Sequence, residues 1–370
     1  MHVARLWLTE VRNHEATDVE LPDGLVVVTG DNGQGKTNLL ESVGLCATLS
    51  SFRGAPTEAL VRAGAERGVV RCEVVEQTRR SLIEIELGPG RTRAQLNRQP
   101  LRRTRDLLGL LRVTVFGPDD LELVKGSPGG RRRYLDDLLV ACQPRNDELR
   151  RDVDRVLKQR STLLKQAGPR ADEAALATLD VWDAKLAELG TELARRRRAL
   201  VAELGPRVDA AYRSLVEERG SAGSGVVLGY DPDWLDEGLD RALERLRTDE
   251  LRRGVSLVGP HRDDLDLVLD DLPSRTHASQ GEQRSLALAL RLAGHEVVAE
   301  RTGTPPVVLL DDVLSELDPW RSRALLSHLP DAQVVISTAG PIPDGITPAL
   351  VLRVDDGRVV ERSDPVGDAA

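Results

Sequence analysis

Apolar positions recur every second residue over roughly the first third of the chain, every third or fourth residue through the middle, and in short β-branched runs near the end. Val3, Leu6, Leu8 and Val11 among polar neighbours predict a first strand that Asn13 and His14 end, and residues 24–30 supply the next. A helix is expected from Lys36 to about Ser50. Residues 68–76, 81–87 and 91–96 predict strands of an antiparallel flank, with Asn97-Arg98 as a further turn, and 110–116 another strand closed by Gly117-Pro118-Asp119-Asp120.

From about Gly126 the β-branched runs vanish. Leu149, Val153, Val156, Leu157, Leu163 and Leu164, then Leu176, Leu179, Leu186, Leu189, Leu193 and Leu200, repeat at helical spacing. Gly168-Pro169 and Gly205-Pro206 punctuate these helices, and the lobe is expected to end after a loop at 220–225 and a helical stretch from Asp233 to about Arg252. Strand character returns at 255–258 and 264–269. A helix at 281–299 precedes an apolar parallel-type strand, 305–312, a second core strand at 332–338, and a hairpin of 350–354 with Val359-Val360 around Asp356-Gly357. The tail, 363–370, is expected to be disordered.

Between the predicted strand at 24–30 and the helix lies Gly30-Asp31-Asn32-Gly33-Gln34-Gly35-Lys36-Thr37, two glycines bracketing four residues before Lys and Thr. Glycines there bring backbone N–H groups close to phosphate oxygens, and the helix starting near Lys36 adds the positive end of its dipole. Lys36 is assigned to the β- and γ-phosphates of a nucleotide, Thr37 to Mg²⁺, and Asn38 continues the helix. Asp311 and Asp312 end a buried strand, where an open α/β sheet presents groups to a ligand. Asp311 is the expected Mg²⁺ partner, and Asp312 the group that orients or deprotonates an attacking water. Ser279-Gln280-Gly281-Glu282-Gln283 opens a helix with a serine cap. It reads either as a plain capped helix or as a second anion-ready surface for the γ-phosphate, supplied by another chain if the two cannot meet within one.

Composition narrows the field. A 370-residue chain with 40% hydrophobic content has room for two or more cores, and no apolar run approaches membrane-span length. Together with a start that lacks an uninterrupted apolar signal, this makes the cytoplasm the expected compartment and excludes a membrane association. The cysteines Cys46, Cys72 and Cys142 form neither a disulfide framework nor a zinc pattern. His261 and Asp263 read as ion-pair or hydrogen-bond partners rather than metal ligands. The net charge of −9 argues against nucleic acid, yet arginine is clustered at 131–133, 195–198 and 102, 103 and 105. Arg131, Arg132, Arg133, Arg195, Arg196, Arg197 and Arg198 are candidate DNA-phosphate contacts; the first run serves equally as a brace between lobes and the second as a solvated helix surface. With 2% aromatic residues, contacts to a duplex backbone are favoured over base stacking.

Residues 30–37, 279–283, 309–312 and Ser315-Glu316-Leu317-Asp318 resemble the phosphate loop, signature, Walker B and D-loop of an ABC-type ATPase of the SMC kind. Residues 116–121, 124–128 with 131–136, 259–264 and 309–318 further resemble the RecF family of bacterial recombination mediators. The resemblance implies an α/β ABC-type P-loop ATPase head, residues 1–125 and 256–362, with an inserted mainly helical lobe, 126–255. It also implies an ATP-dependent head-to-head dimer in which Ser279 and Gly281 of one protomer close on ATP held by Lys36 and Thr37 of the other. Binding at single-strand to double-strand DNA junctions, RecA loading with RecR and RecO, gap repair, SOS support and a weak DNA-dependent ATPase follow from the same resemblance. The chain departs from transporter ATPases at Asp119-Asp120, which offers no Q-loop glutamine, and at Ser337-Thr338, which carries no switch histidine; both favour slow hydrolysis. A transporter subunit would need both residues, and a chromosome-organising protein would need long arms that this insert is too short to form.

Overall fold

The polar-looking stretch after the first strand is itself a strand. β1 (His2–Val11) turns through Arg12 and Asn13 into β2 (His14–Glu20), with Val11 paired to His14 and Leu6 to Val19. Three acidic residues, Glu15, Asp18 and Glu20, hide β2 from a hydrophobicity pattern; His14, Thr17 and Val19 form its buried face. The structure is a computed structural model that describes residues 1–90, 92–216, 225–342 and 345–363, so most of the predicted loop at 220–225 and all but the first residue of the predicted tail lie outside it.

The chain divides into two units. Unit 1 comprises Met1–Asp120, Ser214–Glu218 and Leu288–Ala370; unit 2 comprises Leu121–Arg213 and Arg219–Ala287. After β3 (Leu25–Thr29) and α1 (Lys36–Thr48) come β4 (Gly68–Glu76), β5 (Arg79–Leu87), β6 (Arg93–Leu96), β7 (Gln99–Pro100) and β8 (Val113–Phe116). Unit 2 then supplies α2 (Leu121–Lys125), α3 (Pro128–Cys142), α4 (Asn146–Ala167), α5 (Glu173–Val216), β9 (Val226–Gly229), α6 (Trp234–Glu237), α7 (Leu239–Arg253), β10 (Asp266–Leu269), β11 (Leu272–Pro273) and α8 (Ser274–His277). The chain finishes in α9 (Gln280–Thr302), β12 (Val307–Asp311), α10 (Val313–Glu316), α11 (Pro319–Ser327), β13 (Val334–Thr338), β14 (Leu350–Asp355) and β15 (Arg358–Ser363).

Unit 1 holds two sheets. The antiparallel one runs β2-β1-β4-β5-β6-β7, and the other, β15-β14-β3-β13-β12-β8, is parallel except for its β14-β15 hairpin. Val26, Val28, Leu309 and Val335 join Leu6, Leu8, Cys72, Ile83 and Ile85 in one core with α1 residues Leu39, Leu40 and Val43. Continuous burial of β12 and β13 matches their apolar runs, since a parallel strand covered on both faces has no polar side to show.

Three expectations are corrected. Residues 255–258 form no strand, because their backbone is claimed by side chains: Leu257 N–H donates to Glu250, and the Ser256 carbonyl accepts two bonds from Arg262. Pro206 does not end a helix; α5 runs through it, with Pro206 on the exposed side and Leu200, Leu204 and Val208 buried opposite. That buried stripe outweighs a proline cost of about 3 kcal/mol. Residues 256–287 belong with the helical unit rather than with the nucleotide lobe. β10 pairs with β9 along Asp266–Leu269, and Arg131 and Arg197 tie in Asp264 and the Pro260 carbonyl, all inside unit 2.

The deepest polar cluster of unit 2 is built on Arg160, fully buried and ion-paired to Asp183 at 2.5 Å and to Glu250 at 2.5 Å, with Ser256 Oγ at 2.8 Å. His261 Nε2 donates to the Ser256 carbonyl (3.3 Å) and Asp263 takes bonds from Tyr230 (2.6 Å) and Trp234 (2.8 Å), in keeping with their reading as hydrogen-bond partners. Burial drives the His261 ring down to about 4, and burial does the same to His295, whose Nδ1 meets Thr114 Oγ1 at 3.1 Å. A histidine whose folded pKa is depressed stabilises the fold fully above its unfolded value of 6.5, and that contribution is lost as pH falls from 6.5 to 4. We therefore expect the urea midpoint to drop across this window, and His295→Gln to flatten the slope by up to about 1.4 kcal/mol per pH unit. Urea titrations of both proteins at stepped pH would reject this if the two slopes coincide.

Candidate functional site

β3 delivers the chain to Gly30 at the carboxyl edge of the parallel sheet, and α1 begins six residues later at Lys36. Gly30 has φ of 140°, and a Cβ there would sit 2.2 Å from the Val354 carbonyl oxygen, so only glycine lets the loop leave the strand beside β14. Gly35 has φ of 115°, and its Cβ would lie 2.7 Å from Asn13 Oδ1. The loop thus turns because its neighbours leave room for nothing else. Gly33, with φ of 83°, meets nothing, and Asp31, Asn32 and Gly33 are exposed at the outer bend.

Two outside segments brace the loop. Asn13 Nδ2 donates to the Gln34 carbonyl at 2.9 Å, Asn38 Nδ2 donates to Asn13 Oδ1 at 2.7 Å, and the buried His14 ring meets the Gly35 carbonyl at 3.1 Å. From the terminal hairpin, Gly357 N–H donates to the Gln34 carbonyl at 2.8 Å and Asp356 N–H to Gln34 Oε1 at 2.6 Å. Burial pushes the His14 pKa down, so the ring is neutral where it holds the loop. On the far side of α1, the buried Glu41 takes a two-pronged bond from Arg12 at 2.9 and 3.0 Å. Neither Asn13, His14, Glu41 nor the hairpin contact is legible from the loop motif.

Lys36, buried, donates from Nζ to the carbonyls of Gly30 (2.8 Å) and Asp31 (2.9 Å), which holds its charge inside the loop's own curve. Thr37 Oγ1 donates to Asp311 Oδ1 at 2.7 Å. The same oxygen accepts Ser337 Oγ at 2.8 Å, and Ser337 Oγ in turn accepts the Asp312 N–H at 3.0 Å. Strand register explains this: Asp311 on β12 pairs with Ser337 on β13, and Val28 of β3 pairs with Ser337 from the other side. Burial raises the Asp311 pKa, against the two hydroxyl donors that lower it. Asp312 sits in the left-handed region, φ 52° and ψ 21°, and its Oδ1 is buried without a hydrogen-bond partner. An aspartate held there keeps an unspent acceptor beside the Thr37–Asp311 pair, a costly arrangement that a nucleotide and its divalent cation would relieve. The donor set fits both: backbone N–H groups, one lysine, one hydroxyl and two carboxylates.

Ser279, Gln280, Gly281, Glu282 and Gln283 lie in unit 2, at the start of α9. Ser279 N–H donates to Glu282 (2.7 Å) and Glu282 N–H to Ser279 Oγ (3.3 Å), a reciprocal capping box, while Gln283 Nε2 reaches the carbonyls of Ser274 (3.1 Å) and Arg275 (3.2 Å). Asp120, at the position expected of a Q-loop, is spent inside unit 1 on Gly117 N–H (2.9 Å) and Arg291 (2.7 Å).

The arginine candidates separate. Arg131 and Arg197 are buried and are corrected to structural roles. Arg131 grips Asp264 with two bonds of 2.7 Å and the Gly126 carbonyl at 2.9 Å; Arg197 grips Asp136 with two bonds of 2.8 Å and the Pro260 carbonyl at 2.7 Å. Arg132 donates to the Asp263 carbonyl, Arg196 to Glu192 and Asn146, and Arg198 pairs with Asp231 at 3.1 Å. Arg133 and Arg195 are exposed. A run of four on one helix must wrap its circumference, so one member points into the core.

A parallel sheet presenting a glycine loop, a helix and a carboxylate-ended strand at one edge defines a P-loop nucleotide-binding fold, and solved SMC ATPase heads share the fold. The Smc head of Pyrococcus furiosus bound to the C-terminal domain of ScpA superposes with a TM-score of 0.57 at 14% identity over 98% of this chain and 96% of that one. The RecF/RecN/SMC N terminal domain model matches residues 2–340. The "DNA replication and repair protein RecF" of Kineococcus radiotolerans is 45% identical over 95% of both chains, and that of Frankia alni 46% over 92% of this chain and 93% of its own. The solved recombination mediator protein RecF with ATP, of the RecFOR pathway, superposes with a TM-score of 0.86 at 28% identity, covering 98% of this chain and 99% of the other. The chain belongs to the RecF family.

Lys36→Ala is expected to abolish nucleotide binding, because it removes the ammonium held within the loop's curve; an unchanged titration of a fluorescent ATP analogue would contradict the assignment. Ser337→Ala leaves the Asp312 N–H and one Asp311 lone pair unserved, and should cost roughly 1–3 kcal/mol in chemical unfolding.

Proposed function

We propose that the chain is an ATP-gated DNA clamp of recombinational and replication-gap repair. Gly30–Thr37 with Asn38 would hold ATP, Thr37 and Asp311 would hold Mg²⁺, and Asp312 would orient and deprotonate water. The bound cation would supply charge neutralisation at the β- and γ-phosphates. Lys36 adds a fixed positive charge there, and the neutral His14 and Asn13 keep the loop's carbonyls turned away from the phosphates. The observation that carries the reading is the junction of Thr37, Asp311 and Ser337 on one carboxylate oxygen, which brings the phosphate loop and the Walker B strand into a single hydrogen-bonded site.

Ser279, Gln280, Gly281, Glu282 and Gln283 would serve a partner protomer's ATP, so that nucleotide joins two heads. The capping box supports this reading, since it fixes the start of the helix, where Ser279 and Gln280 are exposed and the dipole favours an anion. With Asp120 occupied and no histidine following β13, no group of the transporter type is available to sense the γ-phosphate, which favours slow hydrolysis suited to a switch. The dimer would engage duplex DNA and single-strand to double-strand junctions, with Arg133 and Arg195 among the phosphate contacts. It would act with RecR and RecO in loading RecA, and so support SOS induction, in the cytoplasm. Among the described residues no helix is long and apolar enough to cross a membrane.

Two variants test the shared site. Asp312→Asn should retain ATP and accumulate dimer while hydrolysis slows; light scattering that detects monomer alone at saturating ATP would reject the mechanism. Ser279→Arg should bind ATP as the parent does yet stay monomeric, and a stable dimer of that variant would remove the signature helix from the site.

A further inference from the structure

The antiparallel sheet of unit 1 carries a charge gradient that the ATPase chemistry does not use. Its core-facing positions, such as Val70, Cys72, Ile83 and Ile85, are buried, and the opposite face is lined with charged pairs. From β2 to β5 these pairs cancel: Arg5 with Asp18 at 2.8 Å and Glu20 at 3.2 Å, Arg80 with Glu73 at 2.9 Å, Arg67 with Glu86 at 2.7 Å, and Arg71 with Glu84. Beyond β5 the acids thin out: Arg93 still reaches Glu86 at 3.8 Å, and the next acid in the chain is Asp106. Residues 88–105 contain Arg91, Arg93, Arg98, Arg102, Arg103 and Arg105 and no Asp or Glu, in a chain whose net charge is −9.

From β6 onward that stretch is well anchored. Asn97 and Arg98, with φ of 51° and 66°, form the tight two-residue turn between β6 and β7, and Asn97 is bonded to the backbone of Leu82 through both its N–H and its side-chain oxygen, each at 2.8 Å. Leu101 N–H donates to the Ala94 carbonyl at 2.9 Å, and Leu107 is fully buried beneath the short helical turn Thr104–Leu107. Arg93, Arg98, Arg102 and Arg103 are exposed. A groove of about 360 Å³ lies at this edge, with Arg93, Arg102, Thr92, Gln95 and Thr104 on its walls and the paired Glu84 and Glu86 on its lining.

We propose that this arginine edge, from β6 to the turn after β7, is a landing surface for the phosphate backbone of duplex DNA. This rests on the DNA-clamp reading and assigns it a place. Guanidinium forks suit phosphate oxygens, and Thr, Gln and Asn between them donate to phosphate without discriminating sequence. Residues 88–105 contain no aromatic side chain on which an unpaired base could stack, which selects duplex backbone over single strand. The rigid hairpin presents its charges without the ordering cost of a flexible basic tail. Fixing such charges on the sheet rather than raising net charge confines the attraction to one face of an acidic protein.

The test pairs Arg98→Asn with Arg103→Gln; asparagine tolerates the left-handed backbone at 98. Binding of a fluorescein-labelled duplex is read by anisotropy across a salt series, in the full chain with Mg²⁺ and a slowly hydrolysed ATP analogue. The double variant should bind roughly tenfold more weakly, equally for unrelated sequences, with the log–log salt slope reduced by about two. A charge-matched control, Arg170→Gln with Arg241→Gln, removes two exposed arginines of unit 2 and should bind as the parent does. Retained nucleotide titration and far-ultraviolet dichroism in the double variant would exclude misfolding as the cause. A double variant with the parent's affinity and slope, or a control that loses as much, overturns the surface while leaving the clamp standing. A parent protein that binds no duplex in any nucleotide state overturns the clamp itself.

Discussion

One carboxylate oxygen, Asp311 Oδ1, accepts hydroxyls from Thr37 and Ser337 and so ties three neighbouring chain segments at the edge of the parallel sheet. The Asp311 carboxyl is held in a place where burial disfavours its charge, and the two hydroxyls offset only part of that. A site built this way favours whatever restores positive charge near it. The same logic extends to Asp312, whose left-handed backbone and unpartnered Oδ1 are strain and desolvation concentrated where chemistry would use them.

The phosphate loop depends on that join and on bracing that comes from distant sequence. Asn13 and His14 reach it from the turn before β2, and Asp356-Gly357 from the final hairpin, so residues more than three hundred positions apart converge on Gln34 and Gly35. Glycine at 30 and 35 is then doubly required, by backbone angle and by the atoms standing where a Cβ would go. Unit 2 follows a different rule. Several of its arginines are internal ties: Arg160 and Arg197 satisfy buried carboxylates that would otherwise be costly, and the buried Arg131 is itself held by the half-buried Asp264. Local arginine density by itself therefore does not mark a surface: in the helices of unit 2 much of it is internal framework, whereas Arg133 and Arg195 there, and Arg98 and Arg103 in unit 1, are exposed.

Much of this was readable in the linear pattern. Strands with one buried face announced themselves by alternation, β12 and β13 by continuous apolar runs, and the phosphate loop by glycine spacing between a strand and a helix, because each signal is local and repeats with the period of its backbone. The carboxylates of Asp311 and Asp312 were legible as a pair at a strand end, and Asn97-Arg98 as a turn, for the same reason.

Whatever needed a partner far along the chain was not. Ser337 is an ordinary serine until register sets it opposite Asp311, and β9 pairs with β10 some forty residues further on. Residues 256–287 side with the helical unit since their bonds are made to α3, α5 and β9, and Pro206 stays helical since the leucines around it are buried. Which arginine of a run faces water and which a carboxylate is settled by the packing of the helix that carries it. Sequence determined the chemistry available and the local shape of its carriers; tertiary structure decided which groups meet, because hydrogen bonds and burial are satisfied by neighbours in space and not by neighbours in the chain.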